Sequence, residues 1–130
     1  MADDIAAALD RLQVQDVSQK YLLLDTLAAC EKALGSLLSL GQPVAVDYEG
    51  VNLCRDGALC LTQIAPRRGP VLLIDNETLG DSAFGAGRLR ELLESDAVVK
   101  ICYDCRADSD ALYHLHNTTP TKLWDVQVSA

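Results

Sequence analysis

Between residues 44 and 75, three strand-patterned segments follow one another with connections too short to hold a crossover helix. Residues 44–49 alternate, with Val44, Val46 and Tyr48 on one face and Asp47 and Glu49 on the other. Leu59 to Ala65 and Val71 to Asp75 are the next two runs, separated by the turn signals Arg55-Asp56-Gly57 and Pro66 to Gly69. Parallel neighbours need a crossover of roughly a dozen residues, so these segments predict an antiparallel meander.

Helical patterns flank the meander. Leu27, Cys30, Leu34, Leu37 and Leu38 form a stripe at helical spacing, with an N-cap at Asp25-Thr26 and an end near Gly41. Tyr21 to Leu24 before it reads as an edge strand. Beyond the meander, Arg88 to Leu93 is helical, Val98 to Cys102 is a fourth strand, and Ser109 to His116 is a helix. Strands followed by helix, strand and helix make an α/β pattern. Residues 1–20 read as an acidic leader, with Ile5, Leu9 and Leu12 at helical spacing, and residues 21–130 as the α/β unit. The strands Val71 to Ile74 and Val98 to Ile101 offer few polar positions and read as covered on both faces.

A chain of 130 residues, 49% hydrophobic, suits one globular domain. Its net charge of −8 argues against a passive nucleic-acid clamp, which would carry a basic footprint. It does not exclude a nuclease whose acidic cleft is neutralised by divalent cations. The five cysteines are odd in number and irregularly spaced, and residues 1–10 lack a signal-peptide pattern. Free thiols in an intracellular compartment, cytoplasmic or nuclear, are expected. No apolar run approaches a membrane-spanning length.

Asp47 and Glu49, two apart on a strand, project from one face. A polar pair in such a place is commonly just solvent-facing, but two adjacent carboxylates repel, and a divalent cation relieves that repulsion. Asp104, Asp108 and Asp110 cluster at the start of a helix, where carboxylates also serve simply to oppose the helix dipole. The strand before them ends where α/β sheets place their sites. Cys102 and Cys105 form a single C-x-x-C; without a second pair or nearby histidines, ordinary buried thiols are the plain reading. His114 and His116 cannot face the same way on a helix and read as surface residues.

Taken together, these segments resemble the DEDD 3′–5′ exonucleases. Residues 44–53 (VAVDYEGVNL) with 59–65 (LCLTQIA) are similar to the family's first motif. Residues 100–112 (KICYDCRADSDAL) are similar to the second motif of the ribonuclease D-like branch, which includes Egalitarian and Exd1-type proteins. Residues 123–128 (LWDVQV) resemble the Asp-x-Gln segment that follows it. The resemblance covers roughly residues 21–130. It implies a ribonuclease H-like α/β fold, a mixed sheet with an antiparallel meander. It also implies that Asp47, Glu49 and Asp108 are the first three of the family's four acids, while Asp104 and Asp110 are neighbours.

In the family these acids hold two Mg²⁺ or Mn²⁺ ions for phosphodiester hydrolysis, on RNA more than DNA in this branch. Tyr103 stands where close relatives usually carry histidine. The last motif, with the fourth acid and a Tyr or His base on a C-terminal helix, has no counterpart after Asp125, and Tyr113 lies too early to replace the base. The expected domain is therefore C-terminally truncated: a nuclease whose site is completed elsewhere, or a non-catalytic RNA-binding or protein-interaction module. A homo-oligomeric or protein partner covering the sheet is also expected.

Overall fold

The computed structural model describes residues 20–129, so the expected leader lies outside the described residues except for Lys20. The chain order is β1 (Tyr21–Leu24), α1 (Leu27–Leu40), β2 (Val44–Val51), β3 (Ala58–Pro66), β4 (Val71–Asp75), α2 (Asn76–Leu79), α3 (Asp81–Phe84), α4 (Leu89–Glu94), β5 (Lys100–Cys102), α5 (Arg106–His116), β6 (Leu123–Asp125) and α6 (Val126–Ser129). The six strands form one sheet in the order β1-β4-β3-β2-β5-β6. β2, β3 and β4 are the expected antiparallel meander. β1 joins its edge in parallel, and β5 and β6 extend the other side in parallel.

Local chemistry explains the boundaries. Thr26 is extended, and its hydroxyl accepts the Ala29 N–H at 3.3 Å, capping α1. Gly41 ends that helix in the left-handed region at φ 62°, a conformation that costs glycine nothing. Asp75 ends β4 by accepting both the Thr78 N–H (3.0 Å) and the Thr78 hydroxyl (2.6 Å). These two bonds start the short turns α2 and α3, which carry too few residues for a periodic signal.

One sheet face is the core. Val44, Val46, Tyr48, Ile64, Leu72 and Ile74 are buried against Cys30, Leu34 and Leu37 of α1, Phe84 of α3, Leu89, Leu92 and Leu93 of α4, and Leu112 of α5. Lys100 pairs with Val44, so it points into this core; its Nζ donates to the Ser95 carbonyl at 2.6 Å, and burial pushes its pKa down to about 8.

Among the described residues no helix covers the opposite face, which the apolar strands had been read to need covered. Val71 and Leu73 are only half-buried there, while Ala45, Asp47 and Glu49 are exposed. Two further boundaries differ. β5 starts at Lys100 rather than Val98, although Val98 is buried and the Val99 carbonyl already accepts the Val44 N–H at 3.0 Å. α5 starts at Arg106, three residues before Ser109, where the helix had been read to begin. Among the described residues no helix is long and apolar enough to cross a membrane.

Candidate functional site

Asp47 and Glu49 stand side by side on the open face of β2, as the strand period requires. The β2–β3 ladder pairs Asp47 with Gln63 and Glu49 with Leu61, then shifts register between Glu49 and Gly50. That irregularity leaves Cys60 as the extra residue on β3. Bulges re-aim the side chains beside them, and here the side chain is Glu49. Gly50 is required: a Cβ there would collide with the Ala58 carbonyl across the ladder.

α5 begins after β5 and brings Asp108 to these two residues. Burial and the charges of Asp47, Asp104 and Glu49 together push the Asp108 carboxyl up to about 6. The Asp108 carboxyl is thus within electrostatic reach of Asp47 and Glu49.

The other acids of the second cluster are occupied differently. Asp110 takes both arms of the Arg55 guanidinium, at 2.8 and 3.3 Å, with His114 at 3.5 Å. The hydrogen bonds and charge of Arg55 hold its carboxyl below the usual carboxylate range. Asp104 is exposed and has Arg106 at 3.9 Å. Only Asp108 is left with negative neighbours as its electrostatic environment. Its donors and those of Asp47 and Glu49 are hard carboxylate oxygens, which suit a hard divalent cation, and such a cation would relieve their repulsion.

The histidines need a correction. They do face apart, but His116 is not a surface residue: its side chain is 13% exposed, stacks on Phe84 at 4.2 Å, and meets Asp81 at 2.7 Å. The aromatic face of α3 supplies the packing, and α3 was not legible in the sequence. Tyr103 and Tyr113 are exposed.

Asp125 has a role that residue spacing did not reveal. Its Oδ1 accepts the N–H groups of Asp104 (2.9 Å) and Gln127 (3.0 Å), and its Oδ2 accepts the N–H of Cys105 (3.1 Å). It clamps the turn that delivers α5, and therefore Asp108. Those hydrogen bonds hold its carboxyl below the usual range. Because β6 is only three residues long, nothing in the pattern marked it as the strand beside β5.

Comparison with known proteins gives a consistent picture. The family described as 3′–5′ exonuclease matches residues 18–130. The chain is 38% identical over 86 residues to piRNA biogenesis protein EXD1 of Mus musculus, covering 66% of this chain but 15% of the mouse protein. The solved RNase D of Trypanosoma brucei in complex with RNA U12 superposes with a TM-score of 0.73 at 27% identity, over 83% of this chain and 38% of that one. The EXD2 exonuclease domain shares the fold, with a TM-score of 0.65 at 22% identity over 85% of this chain and 57% of that one. The chain thus spans a minor part of the curated relatives it matches.

Proposed function

This chain belongs to the 3′–5′ exonuclease family, in its ribonuclease D-like branch, and from that premise we propose that Asp47, Glu49 and Asp108 are its metal-binding acids in phosphodiester hydrolysis at a nucleic-acid 3′ end. The observation that supports the reading is the Asp108 carboxyl at the start of α5, pushed up to about 6 first by burial and then by the charges of Asp47 and Asp104 and of Glu49, two of them on β2. Mg²⁺ or Mn²⁺ held there would activate water and neutralise charge on the leaving 3′ oxygen.

The chain's own residues would do the positioning. The β2–β3 bulge aims Glu49, and the Asp125 clamp holds the turn that carries Asp108 into place. RNA is the proposed substrate class, because the relatives are an RNase D solved with RNA and a protein of piRNA biogenesis.

By the motif resemblance, Asp47, Glu49 and Asp108 answer to three of the four acids in the family's name. Affinity for hard cations rises with the count of charged oxygens. The 130-residue polypeptide is therefore expected to bind Mn²⁺ weakly and to turn over little. Calorimetry with Mn²⁺ tests the site: weak binding lost in Asp47→Asn is expected, and tight binding that survives this change would sink the assignment. A 3′-labelled RNA incubated with Mg²⁺ or Mn²⁺ tests turnover. Robust cleavage by residues 1–130, abolished in Glu49→Gln, would show that another residue of this chain completes the set.

A further inference from the structure

The covered face of the same sheet carries a second group of donors that the acid cleft does not use. The parallel β5–β6 register places Cys102 directly opposite Asp125. The turn into α5 brings Cys105 to the same spot. One sulfur from each cysteine and one oxygen of Asp125 lie within 4.8 Å of one another, and both cysteines are buried. Cys105 Sγ sits 3.5 Å from Asp125 Oδ2, as a thiol donating to a carboxylate.

For Zn–S of about 2.3 Å and Zn–O of about 2.1 Å, a tetrahedral centre separates sulfur and oxygen by about 3.6 Å. A zinc ion replacing the thiol proton would therefore meet both donors with little movement. An independent observation points to the same place. Tyr48 is 7% exposed and its hydroxyl has no hydrogen-bond partner among the described residues. It lies on the covered face of β2, in the same buried cluster as Cys102 and Cys105. A buried hydroxyl without an acceptor is costly. Thiols are weak acceptors; metal-bound thiolates are strong ones, and would give Tyr48 the acceptor it lacks.

We propose that Cys102, Cys105 and Asp125 form a zinc site, with the Tyr48 hydroxyl donating to a ligating sulfur. Binding deprotonates both thiols, releasing two protons to solvent, and forms two metal–sulfur bonds and one metal–oxygen bond; water takes the fourth position. Two thiolates select zinc over the magnesium or manganese that suit the carboxylates on the opposite face. The site would tie β6 to the turn that carries Asp108.

Cobalt(II) tests this, because only sulfur ligation gives a thiolate-to-cobalt charge-transfer absorption in the near ultraviolet. The reduced, metal-free 130-residue chain is titrated with cobalt, and then with zinc. The expected result is an absorption that saturates at one equivalent, disappears on adding zinc, and resists excess Mg²⁺. It should persist in Asp47→Asn, which touches only the acid cleft, so failure of this site and of the carboxylate site read out separately. Cys105→Ser should abolish it with the circular-dichroism spectrum unchanged. Tyr48→Phe, which removes only the hydroxyl, should weaken cobalt binding by about tenfold. No absorption in the folded reduced chain would overturn the proposal. So would an absorption that survives Cys105→Ser and is lost instead in Cys54→Ser or Cys60→Ser.

Discussion

Asp108 and Lys100 are the two residues whose environment is least comfortable, and each makes a measurable prediction. Asp108 is half-buried and also pressed by Asp47, Asp104 and Glu49, so its ionised form is disfavoured in the metal-free fold. Asp108→Asn removes that repulsion. At pH 7 and without divalent cations, the variant is expected to melt higher, by on the order of 1 kcal/mol once solvent screening of a half-exposed group is allowed for. The same variant should lose any rise in melting temperature on adding Mn²⁺, since a ligand that binds the folded state stabilises it. A variant less stable than the parent without metal would show that the repulsion is not real.

Lys100 works in the opposite sense. Its folded pKa of about 8 lies below the unfolded value of 10.5, so the unfolded chain binds more protons between those values. Stability contributed by this group therefore rises with pH through that window, its penalty being fully present below pH 8. The buried thiols Cys30 and Cys102, raised from 9.0 to about 11 and about 12, act against this trend from about pH 9 in parent and variant alike, and Tyr48, whose pKa burial raises, only above its unfolded value of 10. Urea melts at pH 7.5, 8.5 and 9.5 are the check. The parent should gain stability relative to Lys100→Met across that range, and parallel curves would refute the assignment.

At the scale of elements, the β2–β3 bulge is the feature on which the site geometry depends most directly. Gly50→Ala would force a methyl against the Ala58 carbonyl. The expected cost is about 1–3 kcal/mol, together with weaker Mn²⁺ binding because Glu49 is displaced. Chemical denaturation and calorimetry on the same sample test both halves; an unperturbed variant would mean that the ladder absorbs the methyl.

Elements with strong local signals were legible in the sequence. The Thr26 cap, the Gly41 stop, the alternation of Val44 to Glu49 and the short turns of the meander each act within a few residues, and each element formed where it was expected. The exonuclease resemblance is borne out by the family match and the fold. What was not legible depends on contacts distant in sequence. The clamp of Asp125 on Asp104 and Cys105 spans about twenty residues and rests on a three-residue strand. The stacking of His116 on Phe84 needs a one-turn helix that has no period. That Asp110 is taken by Arg55 follows from a contact between residues 55 apart in sequence, which spacing alone cannot give.

The whole molecule, as far as the described residues go, is a sheet with helices on one side. Its open face is apolar over much of its width. Ala45 pairs with Ala65 and Ile101, Ile101 pairs with Trp124, and Tyr21 pairs with Val71. A second row runs from Leu23 through Leu73 and Gln63 to Asp47. Tyr21, Leu23 and Trp124 are each 55% exposed. Apolar surface of several hundred Å² marks an interaction face in most proteins. At ~25 cal/mol per Å², covering about 400 Å² of it would contribute on the order of 10 kcal/mol before the costs of association.

The 130-residue chain is therefore expected to self-associate at micromolar concentration through this face, with a melting temperature that rises with concentration. Leu23→Lys, at the β1 end of the second row, should shift the population toward monomer while leaving the core intact, since Leu23 points away from it. Sedimentation velocity across a range of concentrations distinguishes the outcomes. A monomer at every concentration, melting cooperatively at one temperature, would sink the prediction and show that the face is closed from within the chain. Association unaffected by Leu23→Lys would move the interface to another surface. In the expected case the face that carries Asp47 and Glu49 is also the face that binds a second copy, so metal binding and association should be coupled: adding Mn²⁺ should change the sedimentation profile of the parent and leave that of Asp47→Asn unchanged.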